Sequence, residues 1–284
     1  MLVTVADSAL VFCWRTGDGW LFRCASLAAG ACSDGLPHQT EAIAELIADL
    51  LFDLELPGAE LVLCLPPSAA HWRVIDGMKE EQWDNNGLCR DSLVSIDLPF
   101  NLEQAYLLTT TIQSSTAVAG VARSLLLAWI DVIEIADLPL RRISWSLLDA
   151  HRGLTQITQD WSGDLAWLLL HDGSARLILM RDRTPEIDVV LSSNQPELAR
   201  AEIRAAVHAW QQTLKISSAL GWWFTLKDAE SSGWYQIADV EAGEQVLNTS
   251  LQWFPEPWGD VDEPNALPPL DHLALMALHQ EESW

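Results

Sequence analysis

Hydrophobic patterns of two kinds alternate along the first part of the chain. Residues 2–26 alternate apolar and polar positions around a Gly-Asp-Gly turn, which predicts a strand hairpin or a three-stranded meander. Residues 38–56 repeat apolar side chains at helical spacing, with Thr40 as a candidate cap. The continuous apolar run in residues 59–68 is typical of a buried strand that is covered on both faces. This order of elements indicates a mixed α/β sheet.

A smaller unit is predicted in the middle of the chain, after a polar boundary at residues 76–92 that contains Asn-Gly. Three short strands are predicted there, with a turn or short helix after the first. A helix follows and ends at Pro139, and a strand and helix then return towards the first lobe. The predicted segments are strands at 93–101, 105–113 and 116–124, a helix at 124–138, and a strand and helix within 141–154.

The second half of the chain repeats the order of hairpin and helix. Residues 164–192 predict a hairpin with two turns, and residues 195–215 predict a long helix with Asn194 as its cap. Two late strands are predicted at 221–228 and 234–240. Residues 253–271 hold five prolines and five acidic residues, which predicts a linker or an extended tail before a short terminal helix.

The charge of the chain limits its partners. The 284 residues include 40 acidic and 16 basic side chains, giving a net charge of −24. Nucleic acid and anionic membrane surfaces are excluded as partners because both bind Lys and Arg, whereas a basic peptide would be attracted. A net charge of this kind can equally serve solubility alone.

The cysteines and the apolar runs indicate the compartment. The five cysteines lie in the first third of the chain without a C-x-x-C spacing, which is typical of free, reduced thiols in a cytosolic protein. No signal peptide and no apolar run of membrane-spanning length is visible, so we expect a cytoplasmic protein without direct membrane insertion.

Two units of hairpin and helix, separated by an inserted α+β unit, resemble the two-lobed actin-like (ribonuclease H-like) α/β fold. Within residues 1–215, four segments are similar to type IV pilus assembly proteins of the PilM kind: 61–75, 97–107, 118–154 and 167–187. The resemblance implies a first lobe at 1–80 plus 139–160, an inserted α+β subdomain at 81–138, a reduced second lobe at 161–250 and an acidic, Pro-rich tail at 251–284.

The nucleotide-binding elements of that fold are altered in this chain. Actin-like ATPases hold phosphates with an Asp-x-Gly turn in each hairpin. Aligned by the strands, the turns here are Ala6-Asp7-Ser8 and His171-Asp172-Gly173. Bulky Trp222 and Trp223 stand where a Gly-Gly adenosine loop is expected. We therefore predict a pseudo-ATPase with no catalytic residues, no cofactor and no metal.

Two chemical alternatives are open at these turns. Asp7 and Asp172 could form a carboxylate pair that holds Mg²⁺, although aspartate is common in turns because it bonds the local backbone. His171 could act as a general base, although a histidine at a strand end is more often an ordinary polar residue.

The family resemblance also implies a partner. PilM-like proteins bind the extended cytoplasmic peptide of a membrane partner near the inserted subdomain. Six residues could line such a groove: Pro66, Pro67, Trp72, Leu98, Pro99 and Phe100. Alternatively, these residues pack in a hinge and in the core. The hydroxyl-rich strand at 109–116 could instead accept the peptide along its edge.

The function predicted from these features is that of a non-catalytic cytoplasmic scaffold of a type IV pilus or related secretion machine. It would dock on a basic cytoplasmic peptide of a bitopic, PilN-like inner-membrane protein and lie at that membrane only through this partner. The alternatives are an ATP-dependent enzyme or a filament-forming member of the actin-like fold.

Overall fold

A computed structural model describes residues 1–16, 19–76, 98–99, 101–112, 115–213, 219–226, 231–239, 243–247, 270–271, 273–275 and 277. The described residues up to Asp149 form one compact unit, and those from Ala150 onward form a second. The predicted boundary at 76–92, the strand at 93–101 and the tail at 251–284 lie wholly or mostly outside the described residues.

The first unit contains ten strands, two α-helices and two 3₁₀ helices (Pro67–Ala69 and Leu102–Gln104) among its described residues. In chain order the strands and α-helices are β1 (Leu2–Val5), β2 (Ala9–Thr16), β3 (Gly19–Ser26), β4 (Cys32–Ser33), β5 (Leu36–Pro37), α1 (Thr40–Asp53), β6 (Leu61–Leu65), β7 (Ala70–Asp76), β8 (Ala105–Ile112), β9 (Ser115–Ala122), α2 (Arg123–Ile135) and β10 (Leu140–Trp145). Helix α3 (Ser146–Ile157) then leads from the first unit into the second.

The main sheet of the first unit has the strand order β10-β6-β1-β2-β3. β6 is fully buried and runs parallel to both of its neighbours, as its continuous apolar sequence predicts. Helices α1 and α2 pack against each other and close the core, which includes Ile47 and Leu51 of α1 and Trp129 of α2. The apolar spacing of 38–56 therefore predicts the buried stripe of α1, although the cap position is Gln39 and no side chain caps the helix.

Helices α1 and α2 end in the same way. In each, an acidic residue follows the last turn in the left-handed conformation, Glu55 at φ 57° and Asp137 at φ 53°. The next amide then donates back to the last turn, from Leu56 to Leu51 and from Leu138 to Ile133. This is a Schellman motif in which an acidic residue takes the place usually held by glycine.

A separate three-stranded antiparallel sheet lies in the chain between β6 and α2, with the order β7-β9-β8. Its register places Trp72 of β7, Ala119 of β9 and Leu108 of β8 in line across the sheet. Strands β8 and β9 confirm the predicted strands at 105–113 and 116–124.

The second unit contains β11 (Asp164–His171), β12 (Ser174–Arg181), β13 (Thr184–Val190), α4 (Pro196–Thr213), β14 (Leu220–Thr225), α5 (Ser231–Tyr235) and β15 (Gln245–Val246). Its sheet has the order β13-β12-β11-β14-β15, with β14 parallel to β11. Helix α4 packs on one face of this sheet through Ile203, Val207 and Trp210. The described residues between 270 and 277 are helical and include the buried Leu273.

Two local predictions for this unit were wrong. The predicted strand at 234–240 is largely the short helix α5 and the turn after it, and Tyr235 packs its ring edge-on against Phe224. Asn194 does not cap α4 through its side chain; its amide nitrogen donates instead to the carbonyl oxygen of Gly173, at 2.9 Å. Paired aromatic residues favour strands, and here tertiary packing overrides that preference.

Candidate functional site

The first aligned turn joins β1 to β2 and is occupied by the protein itself. Ala6 and Ala9 exchange backbone hydrogen bonds around Asp7 and Ser8. Both carboxylate oxygens of Asp7 accept hydrogen bonds from another hairpin, one from the Asp34 amide and one from the Gly35 amide, each at 2.8 Å. The Cys32 thiol also donates to Asp7, with Sγ 3.6 Å from Oδ1.

The hairpin that binds Asp7 is the β4–β5 pair. Its two turn residues, Asp34 and Gly35, have φ angles of 50° and 75°, and this left-handed geometry turns successive amides towards one point. Such an arrangement is a binding site for an anion, and here the Asp7 carboxylate is that anion. The Asp-Gly dipeptide at the turn is a sequence signal that could have revealed this hairpin.

The β4–β5 turn is itself fixed by the core. Trp129 donates its indole N–H to the Gly35 carbonyl oxygen at 2.7 Å. A Cβ atom at Gly35 would lie 2.7 Å from Cγ of Pro66, so glycine is required for packing as well as for its φ angle. Asp7 is therefore held against a rigid partner.

The second aligned turn, His171-Asp172-Gly173, joins β11 to β12. Asp172 and Gly173 have φ angles of 50° and 79°, which form a tight two-residue hairpin turn. The Ser174 hydroxyl donates to the His171 carbonyl oxygen at 3.0 Å. Asp172 and Gly173 are exposed, and His171 is half-buried.

Trp222 and Trp223 lie in the central part of β14, and both are buried. The Trp222 indole donates to Oε2 of Glu244 at 2.7 Å. The same carboxylate accepts from the Asp239 amide and from the Arg204 guanidinium. Trp222 is thus part of a hydrogen-bonded core, and Trp223 is buried beside it in the same strand.

The predicted partner-binding residues divide into three groups. Pro66, Pro67, Trp72 and Leu98 are buried, Pro99 is exposed, and Phe100 lies outside the described residues.

Two of the buried residues contact the same side chain. The Pro66 carbonyl oxygen accepts from the indole of Trp145 at 3.1 Å, and Trp72 meets that ring edge-on at 5.4 Å. This is a packed core arrangement, and the assignment of these residues to a partner groove stays a prediction.

Exposed apolar side chains lie on β8, just before the predicted peptide-binding edge at 109–116, which covers the end of β8 and the start of β9. Leu108 is 58% exposed and Tyr106 is 43% exposed. Arg123 packs its guanidinium over the Tyr106 ring at 5.0 Å. Tyr106 and Leu108 are two positions apart in the sequence of a predicted strand, and this spacing places both side chains on the same face. That pattern could have identified them as a pair.

Within the described ranges, no strand pairs with the outer edge of β8. The same residues contain no group of three side chains that could hold a metal ion. They also contain no helix that is long and apolar enough to span a membrane.

The chain is similar to known proteins in structure, with low sequence identity. No protein-family model and no curated protein matches the chain. The chain is similar to a structure of the PilM–PilN type IV pilus biogenesis complex, with 15% identity over 99% of this chain and 98% of that chain and a TM-score of 0.64. It is also similar to a protein from Bacteroides thetaiotaomicron with an actin-like ATPase fold and unknown function, with 9% identity over 96% and 94% of the two chains and a TM-score of 0.50.

A third structure, the cytoplasmic domain of EpsL from the type II secretion system of Vibrio cholerae, has 14% identity over 99% and 94% of the two chains and a TM-score of 0.48. The first two similarities confirm the predicted fold class: the chain has an actin-like α/β fold. The similarity to the PilM–PilN structure also confirms that the chain resembles proteins of the PilM kind in its fold.

Proposed function

We propose that this protein is a non-catalytic scaffold of a type IV pilus or related secretion machine. In this role it binds the cytoplasmic peptide of a bitopic inner-membrane protein, and it lies at the membrane through that partner. The observation that carries the proposal is the outer edge of β8. No described strand pairs with this edge, and the strand presents two exposed apolar side chains.

An open strand edge suits an extended peptide. The backbone of the peptide would pair with β8, and alternate side chains would contact Leu108 and Tyr106. Trp72 and Ala119 continue the row of Leu108 across the sheet, which connects this surface to one of the predicted groove residues. The likeness to the PilM–PilN complex supports this choice because that complex shares the fold.

The charge of the protein favours a basic peptide. With a net charge of −24, the chain attracts segments rich in Lys and Arg, which are typical of cytoplasmic regions beside membrane helices. Attraction of this kind raises the association rate and weakens with added salt.

Three observations support a scaffold rather than an ATPase. Both oxygens of Asp7 already accept backbone hydrogen bonds from the chain itself. The first turn has Ser8 where glycine would let a phosphate approach the backbone. Trp222 and Trp223 fill the region expected to be a small-residue loop, and both are buried.

The test uses a fluorescent synthetic peptide with the sequence of the basic cytoplasmic leader of a PilN-like bitopic membrane protein. We expect binding that weakens with salt and that Leu108→Asp reduces by at least about tenfold, because the substitution places a charge where an apolar contact forms. The matched control is Leu198→Asp, since Leu198 is 65% exposed on α4 of the other unit.

Two results would contradict the proposal. Equal binding by wild type and Leu108→Asp would exclude β8 as the docking edge. Hydrolysis of Mg-ATP by the purified protein would contradict the non-catalytic part. Thermal stabilisation by Mg-ATP would show that the protein still binds the nucleotide, because a ligand that binds only the native state raises its stability.

A further inference from the structure

A second surface of the first unit combines exposed apolar side chains with acidic ones. Phe52, in the last turn of α1, is 76% exposed, and Ile135, the last residue of α2, is 51% exposed. Large apolar side chains exposed to this degree are candidates for contact with another molecule.

The two helix ends lie at the same edge of the main sheet. Helix α1 leads into β6 and helix α2 leads into β10, and these strands are parallel neighbours. The loops before them touch, because the Leu61 amide donates to the Pro139 carbonyl oxygen at 2.8 Å. Phe52 and Ile135 therefore belong to one end of one helix pair, which we call the α1–α2 end surface.

The charged side chains of the two helices near their carboxyl ends and of the loops that follow are all acidic, and the Met1 ammonium donates to the Glu60 carbonyl oxygen at the edge of the region. Residues 40–60 contain six acidic side chains and no Lys, Arg or His, and residues 125–139 contain three acidic side chains and no basic ones. The four acidic residues of α1, Glu41, Glu45, Asp49 and Asp53, recur every fourth position and are exposed. At the edge of this region, Arg141 pairs weakly with Glu60 at 3.9 Å.

Several of these charges lie where they weaken the helices. The carboxyl end of a helix carries partial negative charge, so basic residues stabilise it and acidic residues do not. Yet Asp53 ends α1, Glu134 lies in the last turn of α2, and Glu55 and Asp137 follow the two helices directly. Acidic residues that destabilise a helix end are expected where the surface serves binding as well as stability.

From this combination we propose that the α1–α2 end surface is a docking site for a basic amphipathic helix of a partner protein. The apolar face of that helix covers Phe52 and Ile135, and its Lys and Arg side chains pair with the surrounding carboxylates. Charge complementarity selects this occupant. A second copy of the chain that met this surface with its own would bring like charges together, and nucleic acid would be repelled.

The probe for this site is a synthetic Leu–Lys peptide of about 18 residues, long enough for roughly five helical turns. One comparison peptide has the same composition in an order that is not amphipathic, and a second has Glu in place of Lys. We expect the amphipathic Lys peptide to bind at least about tenfold more tightly than either, with affinity that falls as salt is raised.

Variants of the protein locate the site. We expect Phe52→Ser or Ile135→Ser to weaken binding of the amphipathic Lys peptide by about tenfold, because each removes an apolar contact. The matched control is Leu198→Ser, a comparably exposed leucine on α4, which is expected to bind like wild type. Leu108→Asp separates this surface from the β8 edge and is also expected to bind like wild type.

Several outcomes would overturn the inference. They are absence of binding by the amphipathic Lys peptide, equal binding of either comparison peptide, and unchanged binding in both Phe52→Ser and Ile135→Ser. A loss in Leu108→Asp as large as that in Phe52→Ser would also overturn it, because it would place the peptide on β8. Should Phe52→Ser not fold, Ile135→Ser decides the result.

Discussion

The carboxylate of Asp7 should be a measurable determinant of stability in the first unit. It accepts two backbone hydrogen bonds at 2.8 Å from the β4–β5 turn, and that turn is anchored to the core by Trp129. Replacing Asp7 by Asn keeps the shape but leaves one acceptor oxygen and puts an NH₂ group against a backbone N–H. The substitution therefore removes one hydrogen bond and makes two donors face each other.

The size of the effect follows from the exposure of the two bonds. A hydrogen bond to a charged group contributes about 1.5–3 kcal/mol when well buried. The bond from Asp34 is exposed and that from Gly35 is half-buried, so solvent screening reduces both contributions. We expect Asp7→Asn to lower the free energy of unfolding by about 1–2 kcal/mol, which corresponds to a fall of about 4 °C in Tm for a protein of this size.

The assay is urea denaturation together with amide hydrogen exchange of residues 32–36. The matched control is Asp182→Asn, because Asp182 lies exposed in the β12–β13 turn and its substitution changes the net charge equally. We expect the control to remain within about 0.5 kcal/mol of wild type, as is usual for surface substitutions. If Asp7→Asn unfolds like the control and leaves exchange at residues 34 and 35 unchanged, the carboxylate does not hold this hairpin.

Two further predictions concern the second unit. Burial lowers the pKa of His151 from 6.5 to about 4, against the opposing hydrogen bond to the Arg183 carbonyl oxygen. Its stabilising contribution is therefore complete above pH 6.5 and is lost as the pH falls towards 4, by roughly 3 kcal/mol in total. His151→Gln should flatten the pH dependence of urea denaturation between pH 6.5 and 4. Gly153→Ala should destabilise the unit by about 2 kcal/mol, because the new Cβ would overlap the Leu273 carbonyl oxygen. Unchanged limited proteolysis of the C-terminal residues would contradict this.

The main elements could be predicted because their patterns are long and periodic. In α1, Ile43, Ile47 and Leu51 recur at helical spacing and are all buried. In β6, five successive apolar residues are buried, as expected of a central parallel strand. The fold class followed from the order of such elements, and the structural similarities confirm it.

The contacts at the candidate sites could not be predicted in the same way. Strands β4 and β5 have two residues each, too few for any period to show, so the partner of Asp7 was missed. The α1–α2 end surface depends on which side chains the packing leaves outside. Phe52 follows the buried Leu51 directly and therefore faces away from the core stripe, but its degree of exposure depends on the neighbouring helix.

The carboxylate of Glu244 has an evolutionary consequence. Because Trp222, Arg204 and the Asp239 amide share this one acceptor, no residue of the group can change alone without leaving the others poorly matched. A small side chain in place of Trp222 would leave a large cavity and remove a donor from a buried carboxylate. Sequence change at this position is therefore epistatic: a smaller residue at position 222 is tolerated only after compensating changes around Glu244.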